Sequence, residues 1–100
     1  MGQVVVRYKV KPEHADENRQ LIERVFAELA ASDPGGIRYA TLQLEDGVSF
    51  VHVASIETDD GRNPLGDVAA FAEFTRDLPS RCDEPPIALA ANVVGSYGLT

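Results

Sequence analysis

The sequence predicts a single α+β domain in the order β-α-β-β-α-β, and three observations carry that expectation. An alternating stretch, Val4–Val10, runs into a long amphipathic stretch, Glu13–Ala31. Two further alternating stretches meet at Asp46-Gly47. A shorter amphipathic stretch around Phe71 and Phe74 then precedes an apolar run from Ile87 to Tyr97. Period two marks strands and spacings of three and four mark helices, so the pattern alone orders the elements.

The first strand is expected from Gln3 to Val10. Val4, Val6, Tyr8 and Val10 share one face, and Val5, Arg7 and Lys9 the other. Pro12 suits the first turn of a helix, where no amide donor is needed. Glu13, Asp16 and Glu17 favour the positive end of the helix dipole. Leu21, Ile22, Val25, Phe26 and Leu29 form its apolar stripe. Arg19 with Glu23, and Arg24 with Glu28, lie one turn apart on its wet side. Ser32-Asp33-Pro34-Gly35-Gly36 stops it by turn chemistry.

Strands two and three, Ile37–Glu45 and Val48–Glu57, flank Asp46-Gly47, a hairpin turn in which both positions are expected at positive φ. A two-residue turn sets Gln43 against Phe50, Thr41 against His52 and Tyr39 against Ala54. One hairpin face then carries Ala40, Leu42, Leu44, Val51 and Val53. Being wholly apolar at its centre, it is expected to lie under the helices. The mixed face, with Tyr39, Thr41, Phe50, His52 and Ile56, is expected on the far side of the sheet, covered by a second subunit. His52 would then sit near the subunit interface, where its protonation would weaken a dimer. Asn63 or Asp67 is placed to cap the second helix, with Pro64 just inside its start. Val68, Phe71, Phe74 and Leu78 recur at helical spacing until Pro79 and Ser80 weaken the helix.

This is the ferredoxin-like split βαβ order: a four-stranded antiparallel sheet, spatial order 4-1-3-2, with two helices on one face. One hundred residues make one domain, residues 1–100, and 44% hydrophobic residues suffice for a core. The net charge of −7, with no basic run, argues against nucleic acid and against an anionic membrane surface. No apolar stretch is long enough to cross a bilayer, no leader pattern opens the chain, and one cysteine makes no disulfide framework. The cytoplasm is the expected compartment.

His52 is the candidate general base, with Thr41 opposite and Tyr39 diagonal to it. The plainer alternative is a structural histidine bonded to Thr41 or to a partner subunit. Tyr8, Tyr39 and Tyr97 lie in three strands, and phenol hydroxyls lining one pocket would orient an oxygenated aromatic substrate; packing alone also explains tyrosines in strands. Asn92 interrupts the apolar last strand, where a buried amide must be paired to a ligand or a neighbouring strand. Phe71 and Phe74 read as core and as the apolar wall of a cavity between helix and sheet. Cys82 beside Arg81 would be somewhat acidified. Asp59-Asp60-Gly61 lacks the ligand series of a calcium loop, and Gly35-Gly36 precedes no lysine-bearing helix. No metal and no cofactor are expected.

The chain resembles the antibiotic-biosynthesis monooxygenase-like family of small dimeric α+β barrels. The likeness lies in Val4–Pro12 (VVVRYKVKP) leading into an acidic helix, the Asp-Gly hairpin, Phe50-Val51-His52-Val53, a helix with Phe71 and Phe74, and Asn92–Tyr97 (NVVGSY). What the resemblance implies is a homodimer whose sheets face each other, with a cavity between helices and sheet in each subunit. It also implies a cofactor-independent oxygenase whose substrate anion itself reduces dioxygen. Within that frame His52 would be the base, and Tyr39, Tyr97, Asn92, Phe71 and Phe74 would bind a small apolar or aromatic substrate. Many members carry a glutamate and an aromatic residue where this chain has Ala54, Ser55 and Ile56, and a histidine where it has Phe74. With no tryptophan either, the pattern points away from haem degradation. The alternative is a non-catalytic ligand-binding or regulatory dimer of the same fold.

Overall fold

Alternating valines make β1 (Gly2–Val10) a strand, and the computed structural model, which describes residues 2–98, sets it at the centre of the sheet. Pro12 opens a single 3-10 turn, Pro12–His14, that feeds α1 (Ala15–Ser32). Asp33 ends α1 in the left-handed region, φ 45°, with its N–H on the Leu29 carbonyl. The hairpin β2 (Ile37–Gln43) and β3 (Ser49–Ile56) follows. After a loop come α2 (Ala69–Arg76), one further helical turn α3 (Leu78–Arg81), and β4 (Cys82–Ala91). All strands pair antiparallel in the order β2-β3-β1-β4, as the sequence predicts.

The hairpin register is the expected one: Gln43 opposes Phe50, Thr41 opposes His52 and Tyr39 opposes Ala54. The turn chemistry differs from the expectation. Gly47 takes the left-handed φ of 78°, while Asp46 does not. Asp46 instead folds its carboxylate back, accepting from the N–H groups of Val48 and Ser49 at 3.0 and 2.8 Å and from Ser49 Oγ at 2.6 Å. Those bonds, the Ser49 hydroxyl foremost, hold its carboxyl below the usual carboxylate range. A side chain that mimics the turn thus keeps the register without the strained φ.

The last strand lies earlier than expected. It begins at Cys82 and ends at Ala91, so Asn92 and Tyr97 fall beyond it. Pro85 and Pro86 are tolerated inside it because β4 is an edge strand, and the register against β1 shifts between Arg7 and Lys9. The second helix also starts differently. Asn63 caps a separate 3-10 turn, Pro64–Asp67, by accepting from the Leu65 N–H. The first amides of α2 are taken by Glu28 of α1, whose carboxylate accepts from Ala69 and Ala70 at 3.1 and 2.9 Å. Arg24, expected to pair with Glu28, reaches Glu73 on α2 instead, at 3.5 Å. Arg19 and Glu23 pair as expected, at 2.9 Å.

The face assignment is reversed. The helices cover the mixed face: Tyr8, Val10, Phe50 and His52 are buried against Ile22, Val25, Phe74 and Leu78. The wholly apolar face is the open one. Leu42 is 54% exposed, Leu89 58%, Ile87 49% and Val53 36%. The cross-strand pairs Val6–His52 and Tyr8–Phe50 explain why. Strand β1 turns its valine-tyrosine face to the helices, and a two-period lattice obliges the directly opposite residues of β3 to follow. The pairing partner, and not the apolarity of the hairpin alone, sets which side goes in.

Candidate functional site

A cavity of about 280 Å³ lies between the sheet and the helical layer. Val4, Val6, Ala54 and Ile56 supply its floor, and Leu65, Phe71, Phe74 and Leu78 line its helical side. In this apolar shell one polar cluster stands out, made by Tyr8, Tyr39 and His52. Strand pairing brings them together. Tyr8 is diagonal to His52 across β1 and β3, and Tyr39 is diagonal to it across β2 and β3.

Both nitrogens of His52 are engaged. Nε2 is 2.8 Å from Tyr8 Oη. Nδ1 is 2.6 Å from Tyr39 Oη and 3.0 Å from Thr41 Oγ1. The imidazole is stacked with both tyrosine rings and tilted against Phe74, with centroids 5.3 to 5.8 Å away. Burial in these rings penalises the charged form and holds the His52 pKa down to about 4. Burial likewise pushes the Tyr8 phenol well above its usual range and raises Tyr39. At neutral pH the cluster is therefore an uncharged set of hydroxyls around an uncharged imidazole.

Behind Tyr8 the network continues into the helices. Asn18 of α1, fully buried, donates from Nδ2 to Tyr8 Oη at 3.0 Å. Arg81, only 3% exposed, donates from Nε and Nη2 to Asn18 Oδ1 at 3.3 and 3.2 Å. Its Nη2 also donates to the Phe74 carbonyl at 2.7 Å, and the guanidinium lies over the Phe74 ring. Among the described residues Arg81 forms no ion pair, and no buried side-chain nitrogen or oxygen lacks a hydrogen-bond partner.

Of the residues singled out in the sequence, His52, Tyr8, Tyr39, Phe71 and Phe74 meet at this cavity. Tyr97 and Asn92 do not: both are exposed in the segment after β4, and Tyr97 is fully so. The expected place of His52, on the far side of the sheet at a subunit interface, is corrected by its burial beneath the helices. Cys82 is half-buried, and burial pushes its thiol up, outweighing the Arg81 charge that pointed to acidification. The sequence reading misses Asn18 and Arg81. Asn18 had a signal, since it lies four and seven residues before Ile22 and Val25, on the stripe that should be apolar. Arg81 had none, standing in a short stretch without periodicity. Among the described residues no three His, Cys, Asp or Glu side chains cluster as metal ligands. Among the described residues no helix is long and apolar enough to cross a membrane.

Comparison with known families matches residues 1–60 to the antibiotic biosynthesis monooxygenase family. Solved structures of the same fold include a candidate antibiotic biosynthesis monooxygenase from Nitrosomonas europaea. It has 16% identity and a TM-score of 0.74, over 95% of this chain and 100% of that one. Rv0793 from Mycobacterium tuberculosis has 13% identity and a TM-score of 0.71, over 97% and 98% of the two chains. SnoaB from Streptomyces nogalater, a cofactor-independent oxygenase solved as an asparagine-to-alanine variant, has 18% identity and a TM-score of 0.68, over 97% and 96%. At these identities the likeness is one of fold. A search of curated proteins finds no match.

Proposed function

The chain belongs to the antibiotic biosynthesis monooxygenase family, and on that premise we propose that it is a cofactor-independent monooxygenase for a small apolar or aromatic substrate. One observation carries the reading: a neutral histidine in an apolar cavity, bonded at both nitrogens to hydroxyls, with tyrosines at the cavity wall. SnoaB, of the same fold, is a cofactor-independent oxygenase.

The chemistry assigned here starts with loss of a proton from an activated phenol or methylene of the substrate. Tyr8 accepts that proton as its own passes to His52 Nε2. Burial disfavours an imidazolium, but the substrate anion formed beside it supplies the missing counter-charge. The anion gives an electron to dioxygen and the radical pair combines to a peroxide anion, which takes the proton back from His52 through Tyr8; the carbon then loses its second hydrogen as the O–O bond breaks and water leaves. For a methylene the sum is R₂CH₂ + O₂ → R₂C=O + H₂O, with every electron drawn from the substrate. The protein's share is a dry pocket, a fixed orientation and a proton acceptor. Phe71 and Phe74 hold the substrate's rings and Tyr39 its oxygen.

The second reading, a binding module without chemistry, is favoured by one feature. Every hydrogen-bonding site on His52 is satisfied inside the protein, as in a structural histidine. Oxygen uptake with anthrone or a quinol separates the two. Uptake that is lost in His52→Ala is expected; tight binding with no oxygen consumed would establish the second reading.

We further propose a homodimer, formed through the open sheet face. Leu42, Val53, Ile87 and Leu89 make an apolar surface across the sheet, and Val93, Val94 and Tyr97 beyond it are also uncovered. Burial of such a patch is favourable at about 25 cal/mol per Å² before association costs.

A further inference from the structure

We infer that Arg81 and Asn18 fix the tautomer of His52, and that the cavity therefore offers its ligand a hydroxyl hydrogen from Tyr39. The molecule it takes carries an acceptor oxygen, a carbonyl or an enolate, on an apolar frame. The inference rests on the cavity being the ligand site, as proposed above.

The direction of the network is set by the residue that cannot accept. A guanidinium has only donors. Arg81 aims two of its N–H groups at Asn18, so the amide oxygen must face Arg81 and the amide nitrogen must face Tyr8. Turning the amide round would set NH₂ against guanidinium. Tyr8 Oη thus accepts from Asn18, and its own hydrogen needs an acceptor. His52 Nε2, at 2.8 Å, is that acceptor. Nε2 is then bare, and a neutral imidazole carries its one proton on Nδ1.

At Nδ1 the hydrogens outnumber the oxygens. The Nδ1, Tyr39 and Thr41 hydrogens face only two oxygens, Tyr39 Oη and Thr41 Oγ1. One hydrogen is left over. Tyr39 is the member of the three that both carries a hydroxyl and lines the cavity, so its hydrogen is the one a ligand oxygen meets. The opposite tautomer would reverse this. Nδ1 would accept, the cavity would meet a lone pair, and the hydrogen of Tyr8, 4% exposed, would lose its partner. Asn18 and Arg81 act here as positioning residues, touching no ligand themselves.

The substitution Asn18→Asp tests this with little change of shape. A carboxylate keeps a partner for Arg81 but offers Tyr8 no hydrogen, so Tyr8 turns its own toward Asp and accepts from His52 Nε2. Nitrogen-15 shifts of the His52 ring at pH 7.5 should report Nδ1–H in the wild type and Nε2–H in Asn18→Asp. Nε2–H in the wild type, or one tautomer in both, overturns the inference; if the variant does not fold, the wild-type spectrum alone decides. In a second arm, fluorenone should bind the wild type about tenfold more tightly than fluorene, and Tyr39→Phe should erase the difference. Equal binding by the wild type contradicts the donor. Neither arm needs turnover, so a failed oxygen-uptake assay and a failed tautomer assignment are separate results.

Discussion

The two faces of the sheet differ in a way that inverts the usual reading of hydrophobic pattern. The helix-covered face is mixed, carrying Tyr8, Tyr39, Thr41 and His52 among valines, yet it holds the buried core. The open face carries the apolar side of the hairpin and is broken on β1 by Arg7, yet Leu42 and Leu89 stand more than half exposed in the single chain. Polar groups survive burial on the first face because each is bonded, in a chain running from Arg81 to Thr41. A bonded polar interruption in a core face thus marks the candidate site, whereas on the open face Arg7 stands exposed between Val51 and Ile87.

The largest effect that would break this comparison is on assembly. Val53 lies at the middle of the open face, opposite Val5 and Ala40. Val53→Asp should turn the proposed dimer into a monomer in sedimentation, because an unpaired carboxylate would be buried. A wild-type monomer, or an unchanged dimer in the variant, would remove the open face from the interface.

On the covered face, Arg81→Met should cost about 2–6 kcal/mol of stability in urea unfolding. It strands the Asn18 and Phe74 oxygens, each at about 1–3 kcal/mol. A loss below 1 kcal/mol would show that the buried chain contributes no such support.

A comparable change should follow pH. The His52 pKa is held down to about 4 in the folded protein, below its ordinary 6.5. Between those values the unfolded chain binds more protons, so acid favours unfolding. The contribution is full above pH 6.5 and is lost as pH falls toward 4, by about 3 kcal/mol. Replacing His52 by Gln should flatten that part of the profile. The same location changes what a histidine at the interface would have meant: dimer strength should not track His52 between pH 8 and 5.5.

The smallest effect sharpens the roof over the cavity. Glu28 caps α2 from α1, so Glu28→Ala should cost about 1 kcal/mol. Thermal melting checks it, and no change would mean that water replaces the cap.

These contrasts also explain what was legible beforehand. Element order and hairpin register were readable because period two, helical spacing and Asp46-Gly47 are local signals. The side of the sheet was not, because it depends on how β3 aligns with β1 across a long connection. His52, Tyr8, Tyr39, Phe71 and Phe74 are readable from residue chemistry; strand pairing brings the first three together, and the packing of α2 on the sheet brings the two phenylalanines. Tyr97 and Asn92 were misplaced because the final strand ends at Ala91 and its apolar run continues past the pairing. Asn18 and Arg81 meet only through tertiary packing, 63 residues apart in sequence.

Backbone amide shifts of the labelled protein during a fluorenone titration compare the two faces in one measurement. The largest changes are expected at Tyr8, Tyr39, His52, Phe71 and Phe74, and little change at Leu42, Val53 and Leu89. Changes centred on Leu42, Val53 and Leu89, with Tyr39 and His52 unmoved, would contradict it.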